Sequence, residues 1–364
     1  MSKFPTYQIK NRAGLDSPAL LVFPNIVEEN IRQAIELLGS ADKLRPHVKT
    51  VKSIEPIQMA MAAGINQFKC STIAEAELVA LAGAPDVLLC YQLSHPRGLR
   101  LRSLRELYPA TTFSCLVDNK LSAALTSELF ADDPIDVMID VNCGMGRTGI
   151  RAEDVSLLYS DIRDLPGIRI VGLHAYDGHI HDQDLEERKD KAAAVTDLVS
   201  RVRKQIDDQS LLLVIGGSPT FHLYADLENV HCSPGTFFLW DAGYGAQYPD
   251  LPFVPAALVL TRVLSIVDEH ILCLDMGSKA VAPDPPLPRA VFPEVSGVQV
   301  EGHYEEHMIV RVDQTSKYRV GDAWLAVPIH ICPTVNLYQH FVTIEDGVSS
   351  GSWKIIARDR IISV

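Results

Sequence analysis

The chain has 364 residues, 47% of them hydrophobic and 22% charged, with a formal net charge of -13 at neutral pH. That length accommodates one large domain and a smaller one, and the composition is that of an ordinary globular protein. The acidic balance excludes nucleic acid and anionic membrane as partners, yet it is compatible with an anionic small molecule, because local donors outweigh net charge.

Seven cysteines (Cys70, Cys90, Cys115, Cys143, Cys232, Cys273 and Cys332) are scattered and odd in number. No CxxC pair occurs, and several fall inside apolar strand patterns, so most read as buried free thiols of a reducing cytoplasm. The N-terminus carries no apolar signal core, and no apolar run is long enough to span a bilayer. A cytoplasmic location is expected.

From residue 19 to 235, short β-branched runs alternate with helical patterns. Strands are expected at 19–23, 44–50, 67–71, 86–91, 111–117, 135–141, 168–176, 211–216 and 230–233. Between the first two, Asn25 is placed to cap a helix carrying Val27, Ile31, Ile35 and Leu38 on one face. A longer amphipathic helix is expected over 184–206, with Ala193, Val195, Leu198 and Val202 opposite a charged face. Strict alternation implies parallel strands with helical crossovers. Counted from the strand ending at Lys49, it gives eight βα units, hence a TIM-type (β/α)8 barrel, with 19–23 as a leader into the first helix. An open doubly wound sheet is the alternative, weakened by the lack of Gly-x-Gly-x-x-Gly after the first strand.

After about residue 250 the pattern changes. Strands are expected at 258–266, 270–274, 308–312, 323–327 and 353–357, separated by turn chemistry such as Gly321-Asp322 and Asp346-Gly347. This is an all-β second domain, and the proline-rich stretch 283–293 is a rigid loop inside it. The domains are therefore drawn as a segment 1–15 packed on the β domain, a barrel over 16–247 and a β domain over 248–364.

In such a barrel the active site lies where strands end and βα loops begin. Lys49 ends the first strand, where a lysine can be desolvated and held rigidly, as a Schiff-base lysine requires; a solvated surface charge is the plain alternative. Arg147 follows the fifth strand in a glycine-rich loop, and its fork of donors suits a phenolate oxygen; a solvated helix-start arginine is the plain alternative. His174 and Tyr176 share one face at the end of the sixth strand, as site residues or as a satisfied core pair. Gly217 and Ser218 follow the seventh strand, and Gly235 and Thr236 the eighth. Barrels commonly bind phosphate at these two loops, although either turn alone reads as a tight turn that needs glycine. In the β domain, His330 and Cys332 again share one strand face. Imidazole and thiolate make a good zinc pair, completed by water or substrate, and the alternative is a buried cysteine beside a satisfied histidine.

Several motifs in fixed order resemble the D-threonine aldolase/D-serine dehydratase family, pyridoxal-phosphate (PLP) enzymes of the alanine-racemase fold group. They include Arg45-Pro46-His47-Val48-Lys49-Thr50, Ser71-Thr72-Ile73-Ala74-Glu75-Ala76-Glu77, Gly146-Arg147-Thr148-Gly149, Gly172-Leu173-His174-Ala175-Tyr176-Asp177-Gly178, Gly216-Gly217-Ser218-Pro219-Thr220, Pro234-Gly235-Thr236 and His330-Ile331-Cys332-Pro333-Thr334-Val335-Asn336-Leu337. The resemblance implies a PLP barrel followed by a β domain, a divalent metal (zinc first, manganese or magnesium otherwise), a small D-amino acid substrate and a monomer or homodimer. It implies that Lys49 binds the cofactor covalently, with His47, Arg147, His174 and Tyr176 around it. Arg147 would meet O3′ and Tyr176 the pyridine nitrogen. Ser218, Gly235 and Thr236, with Gly217, would hold the phosphate, and His330 and Cys332 the metal.

Ser233 stands where the racemases place an arginine, and no second racemase tyrosine can be placed, which argues against racemisation. A non-catalytic PLP carrier would lack the metal pair and the second domain, and a metal-dependent hydrolase would keep its ligands on the barrel. The expected reaction is retro-aldol cleavage of a 3-hydroxy-D-amino acid, with His179 or His181 as base; neither falls at the spacing typical of the aldolases. His330-x-Cys332 is the dehydratase ligand pair, so elimination to a 2-oxo acid and ammonia is the alternative. D-threonine, D-serine and 3-hydroxy-D-aspartate are all admissible substrates.

Overall fold

A computed structural model describes residues 4–208 and 210–364; the first three residues of the segment drawn as 1–15 lie outside them. In chain order come β1 (Ala19–Val22), α1 (Pro24–Leu38), α2 (Ile54–Ala62), β2 (Gln67–Cys70), α3 (Ile73–Leu81), β3 (Asp86–Gln92), α4 (His95–Leu107), β4 (Thr112–Val117) and α5 (Lys120–Leu129). Then follow β5 (Ile135–Asn142), the short β6 (Ile150–Arg151), α6 (Val155–Ile162), β7 (Ile168–Ala175), α7 (Leu185–Ile206), β8 (Leu212–Ile215) and β9 (Val230–Cys232). The rest comprises α8 (Ala242–Gln247), β10 (Ala257–Ile266), β11 (Ile271–Leu274), β12 (Ala290–Val291), β13 (Gln299–His303), β14 (Met308–Arg311), β15 (Ala323–Pro328), α9 (Ile331–Val335), β16 (His340–Glu345) and β17 (Val348–Lys354). The chain divides into two compact units, one holding 34–49, 57–235 and 359–364, the other the residues up to 33, 50–56 and 236–358.

The first unit is the barrel. β2, β3, β4, β5, β7, β8 and β9 pair in parallel in that order. The expected strand over 44–50 is not continuous: only Leu44 and His47 form bridges, to Cys232 and Lys69. Pro46, with no N–H to donate, interrupts it. The segment still closes the barrel, because Arg45 N–H donates to Cys232 O at 2.9 Å, His47 N–H to Pro234 O at 2.8 Å, and Lys69 N–H to Pro46 O at 2.8 Å. A buried guanidinium locks this seam: Arg45 donates to Asp86 at 3.0 Å, to Phe68 O at 3.2 Å and to His231 Nδ1 at 3.1 Å. Burial, and then the Arg45 charge, push His231 down to about 4, so it is the neutral acceptor this bond needs. Val87, Leu88 and Leu89 are all buried, as expected for strands covered on both faces. Leu88, Leu116, Met138 and Val214 pack together from four different strands.

Helix starts follow capping chemistry. Thr72 Oγ1 accepts from Glu75 N–H, Asn119 and Ser122 form a reciprocal box, and Asp184 accepts from Glu186 and Glu187 N–H. α1 begins at Pro24 rather than after the expected cap Asn25, because proline suits the first helical position. No helix among the described residues is long and apolar enough to cross a membrane.

The second unit is a mostly antiparallel sheet in the order β13-β14-β11-β10-β1-β16-β17, with β15 beside β10 and β12. The expected barrel leader, β1, is a central strand here: Ala19 pairs with Leu260 antiparallel, and Leu21 with Val342 in parallel. Its all-apolar Leu20-Leu21-Val22 suits a strand covered on both sides. Leu21, Phe23, Leu258, Leu260, Leu325, Val327 and Ile344 form the core. The proline-rich loop 283–293 ends in β12, and the strand expected over 353–357 runs instead as β17 over Val348–Lys354. The strand expected at 330–332 is replaced by α9, with His330 as its N-cap and Pro333 in its first turn, where proline is tolerated.

Candidate active site

In the barrel unit, the strand ends surround a cavity of about 230 Å³. His47 and Lys49 reach it from the closing segment, and Lys69 and Ser71 from β2 and the residue after it. Cys90 and Gln92 come from β3, Arg147 and Thr148 from the loop after β5, and His174 and Tyr176 from the end of β7. Five of the residues singled out from sequence, His47, Lys49, Arg147, His174 and Tyr176, therefore line one cavity. No Asp or Glu is in this lining.

Each side chain is positioned by its backbone setting. His47 Nδ1 accepts the Lys49 N–H at 3.2 Å, which leaves Nε2–H of a neutral ring to donate to Ser71 Oγ at 2.9 Å. Ser71 N–H in turn donates to the buried Glu75 carboxylate at 2.7 Å. In the loop after β5, Asn142 Oδ1 accepts from Gly144 and Gly146 N–H at 3.1 and 3.0 Å. Gly149 closes that loop at φ +96°, where an added Cβ would lie 2.6 Å from Asn142 N. The loop holds Arg147 with its guanidinium 5.0 Å from the Tyr176 ring centroid, and Lys69 Nζ lies 5.5 Å from the same centroid.

Two lysines share the cavity, and their settings differ from the sequence expectation. Lys49 is exposed, whereas Lys69, on a strand between Phe68 and Cys70, is 3% exposed. Burial pushes the Lys69 amine below the ordinary lysine range; Cys90, Asp177 and Asp140 pull it back in part, and the Lys49 charge adds to the fall. His174 Nδ1 is 2.7 Å from Asp140 Oδ1. Burial opposes protonation of His174, but Cys90 and Asp140 outweigh it and push it up to about 9. Burial works against ionisation of Asp140, yet hydrogen bonds from His174, Thr148 and Gln92 hold it below its ordinary value.

Sequence reasoning missed Lys69, Cys90, Gln92 and Asp140. The available signal was a charged or amide residue at alternate positions of an otherwise apolar strand. His179 and His181 are not in the lining: a Cβ on Gly144 would come within 2.5 Å of the His179 ring, and His181 is exposed.

The glycine turns lie together. Gly217 N–H donates to Thr220 Oγ1 at 3.2 Å, and Gly235 N–H to the buried Ser218 hydroxyl at 3.2 Å. A Cβ on Gly217 would stand 3.3 Å from the Tyr176 ring, a tight contact that the ring would have to relieve by a small shift.

Thr236 opens the other unit, with its hydroxyl 3.6 Å from Cys332 Sγ; Thr50 Oγ1 is 3.1 Å from the same sulfur. His330 hydrogen-bonds Cys332, and its Nδ1 lies 2.5 Å from Asp284 Oδ2. Burial disfavours the imidazolium, but Cys332 and Asp284 push His330 up to about 9. A carboxylate on one ring nitrogen and a sulfur beside the ring are the donor chemistry of a borderline divalent metal. Among the described residues no group of three or more His, Cys, Asp or Glu side chains gathers as a metal site.

Residues 24–240 match the family model described as alanine racemase, N-terminal domain, and residues 256–344 the one described as putative serine dehydratase domain. The chain belongs to the alanine racemase N-terminal domain family. It is similar to the D-threonine aldolase of Arthrobacter sp, 29% identical over 95% of this chain and 93% of that relative. It is also similar to the 3-hydroxy-D-aspartate aldolase of Paracoccus denitrificans (strain Pd 1222), 24% identical over 97% and 96% of the two. The crystal structure of D-threonine aldolase from Filomicrobium marinum superposes with a TM-score of 0.87 at 26% identity, covering 97% of this chain and 98% of that one.

Proposed function

We propose that this protein is a PLP- and divalent-metal-dependent lyase that splits 3-hydroxy-D-amino acids between the α- and β-carbons, yielding glycine and an aldehyde. The observation that carries the reading is the cavity itself, which joins Lys49 to Arg147 and Tyr176 in a chain spanned almost end to end by an aldolase relative.

The residues present suit both groups. Lys49 offers an amine to the cofactor's carbonyl carbon, Arg147 a fork to its phenolate oxygen, and Tyr176 a hydroxyl to its pyridine nitrogen. Gly217, Ser218 and the N–H of Gly235 offer donors to its phosphate. His330 and Cys332 would hold the metal, with Asp284 fixing the imidazole. Bound in this way, PLP supplies an electron sink for the pair released at the α-carbon. A divalent metal supplies Lewis acidity toward a hydroxyl oxygen. Lys49 Nζ would hold or move a proton at the α-carbon. His47 fixes the backbone on which Lys49 stands, through the Lys49 N–H. For the 3-hydroxyl proton, His179 is the candidate to substitute first, because its ring abuts Gly144 of the Arg147 loop.

A second reading, elimination to a 2-oxo acid and ammonia, is favoured by one observation: the residue two positions after His330 is a thiol, Cys332, hydrogen-bonded to its ring. The test is purified protein with PLP, zinc and D-threonine, with products resolved by mass. Glycine plus acetaldehyde supports cleavage; 2-oxobutyrate plus ammonia moves the protein to the dehydratases. Neither product, from D-threonine, D-serine or 3-hydroxy-D-aspartate, overturns both. Lys49→Ala is expected to abolish product in either case.

A further inference from the structure

Lys69 has no part in the chemistry described so far. It is 3% exposed and lines the cavity. Among the described residues its Nζ has no hydrogen-bond acceptor and no carboxylate within ion-pairing distance; the Tyr176 ring lies 5.5 Å away at the centroid, and Cys90 is the group that most favours its charge. A buried ammonium left so poorly matched is costly, and such a cost is ordinarily offset by a partner charge. Neither nearby carboxylate reaches it: Asp140 is bonded by His174 at 2.7 Å and Gln92 at 3.2 Å, and Asp177 accepts from the Tyr224 hydroxyl at 2.6 Å on Oδ2, while its buried Oδ1 has no hydrogen-bond partner among the described residues. The missing partner is therefore brought by a ligand.

The chemistry of that ligand follows from the lining. Lys49, Lys69 and Arg147 face a cavity with no acidic residue in its lining, so its occupants must bring anionic oxygens. On the reading proposed above, Lys49 is consumed by the cofactor's carbonyl and Arg147 by its phenolate oxygen. Lys69 is left for the remaining anionic group, the carboxylate of the amino acid.

We propose that Lys69 is the specificity residue that receives the substrate's α-carboxylate, so that the enzyme selects amino acids over the corresponding amides and amines. The assignment rests on the lyase reading only for the division of labour with Arg147.

The test uses two ligands that lack a 3-hydroxyl, D-alanine and D-alaninamide, titrated by calorimetry into the PLP-loaded wild-type protein, Lys69→Met and Lys69→Arg. A charge-assisted hydrogen bond of this kind corresponds to roughly 10- to 100-fold in affinity. Wild type is expected to prefer D-alanine by that factor. Lys69→Met should lose the preference through weaker D-alanine binding, with D-alaninamide and PLP affinities unchanged and the cofactor-free melting temperature not lowered. Lys69→Arg should restore part of the preference. The proposal is overturned if Lys69→Met keeps the preference, weakens both ligands equally, weakens PLP itself (placing Lys69 on the phenolate oxygen), or fails to fold (making the amine structural). If wild type discriminates through Lys69 yet cleaves no 3-hydroxy-D-amino acid, the lyase reading fails and the Lys69 assignment stands.

Discussion

The His174–Asp140 pair makes stability depend on pH with a definite sign. His174, pushed up from 6.5 to about 9, binds its proton more tightly folded than unfolded. Its contribution is complete below 6.5 and is lost as pH rises through about 9. Asp140 is lowered, so its contribution is present above its ordinary 3.8 and is lost as pH falls below that. His174→Asn should therefore flatten the fall in melting temperature between pH 6.5 and 9, and an unchanged slope would assign that fall elsewhere. Gly149→Ala meets both a positive φ and the Asn142 backbone, and should cost about 3 kcal/mol in urea unfolding and lower activity by displacing Arg147. Most of the candidate site was legible at this scale because Lys49, Arg147, His174 and Tyr176 follow strand ends in order. Lys69 and Asp140 were not, because a polar residue inside an apolar strand is visible as a departure only once its face is known.

Elements were legible where local pattern and tertiary setting agree. The barrel strands β2, β3, β4, β5, β7, β8 and β9 lie within two residues of their expected bounds, because mostly apolar runs suit strands buried on both faces, whereas the two-residue β6 was not expected. They were misread where a single residue or a distant partner decides. Pro46 breaks the closing strand, Pro333 favours a helical turn at His330, and β1 is claimed by partners far along the chain. The closing segment consequently depends on side chains. Arg45→Met should cost about 3 kcal/mol, since it removes a buried guanidinium bonded to Phe68 O, Asp86 and His231. Asp86 keeps some contact with water, so the loss falls at the low end for a buried pair. Equal denaturation midpoints for variant and wild type would remove this seam as a support.

The chain passes repeatedly between its two units, with crossings at 33/34, 49/50, 56/57, 235/236 and 358/359. One of these falls immediately after Lys49 and another between Gly235 and Thr236. No single cut separates the units. A chain ending at residue 247 keeps every barrel strand but deprives β1 of both β10 and β16. It should express as aggregate, its unpaired apolar strand free to recruit other edges. A monodisperse, cooperatively melting product would show that the barrel unit does not need its partner sequence.

The place of β1 in its sheet also sets a schedule. A ribosome adding about 5–20 residues per second takes on the order of tens of seconds to travel from Ala19 to its partner Leu260, and longer to Val342. Throughout that interval Leu20, Leu21 and Val22, among the most deeply buried residues of the finished molecule, have no sheet to join. The nascent protein thus carries an adhesive segment until its distant partner strands have been made, which makes a chaperone that binds short apolar stretches its natural escort.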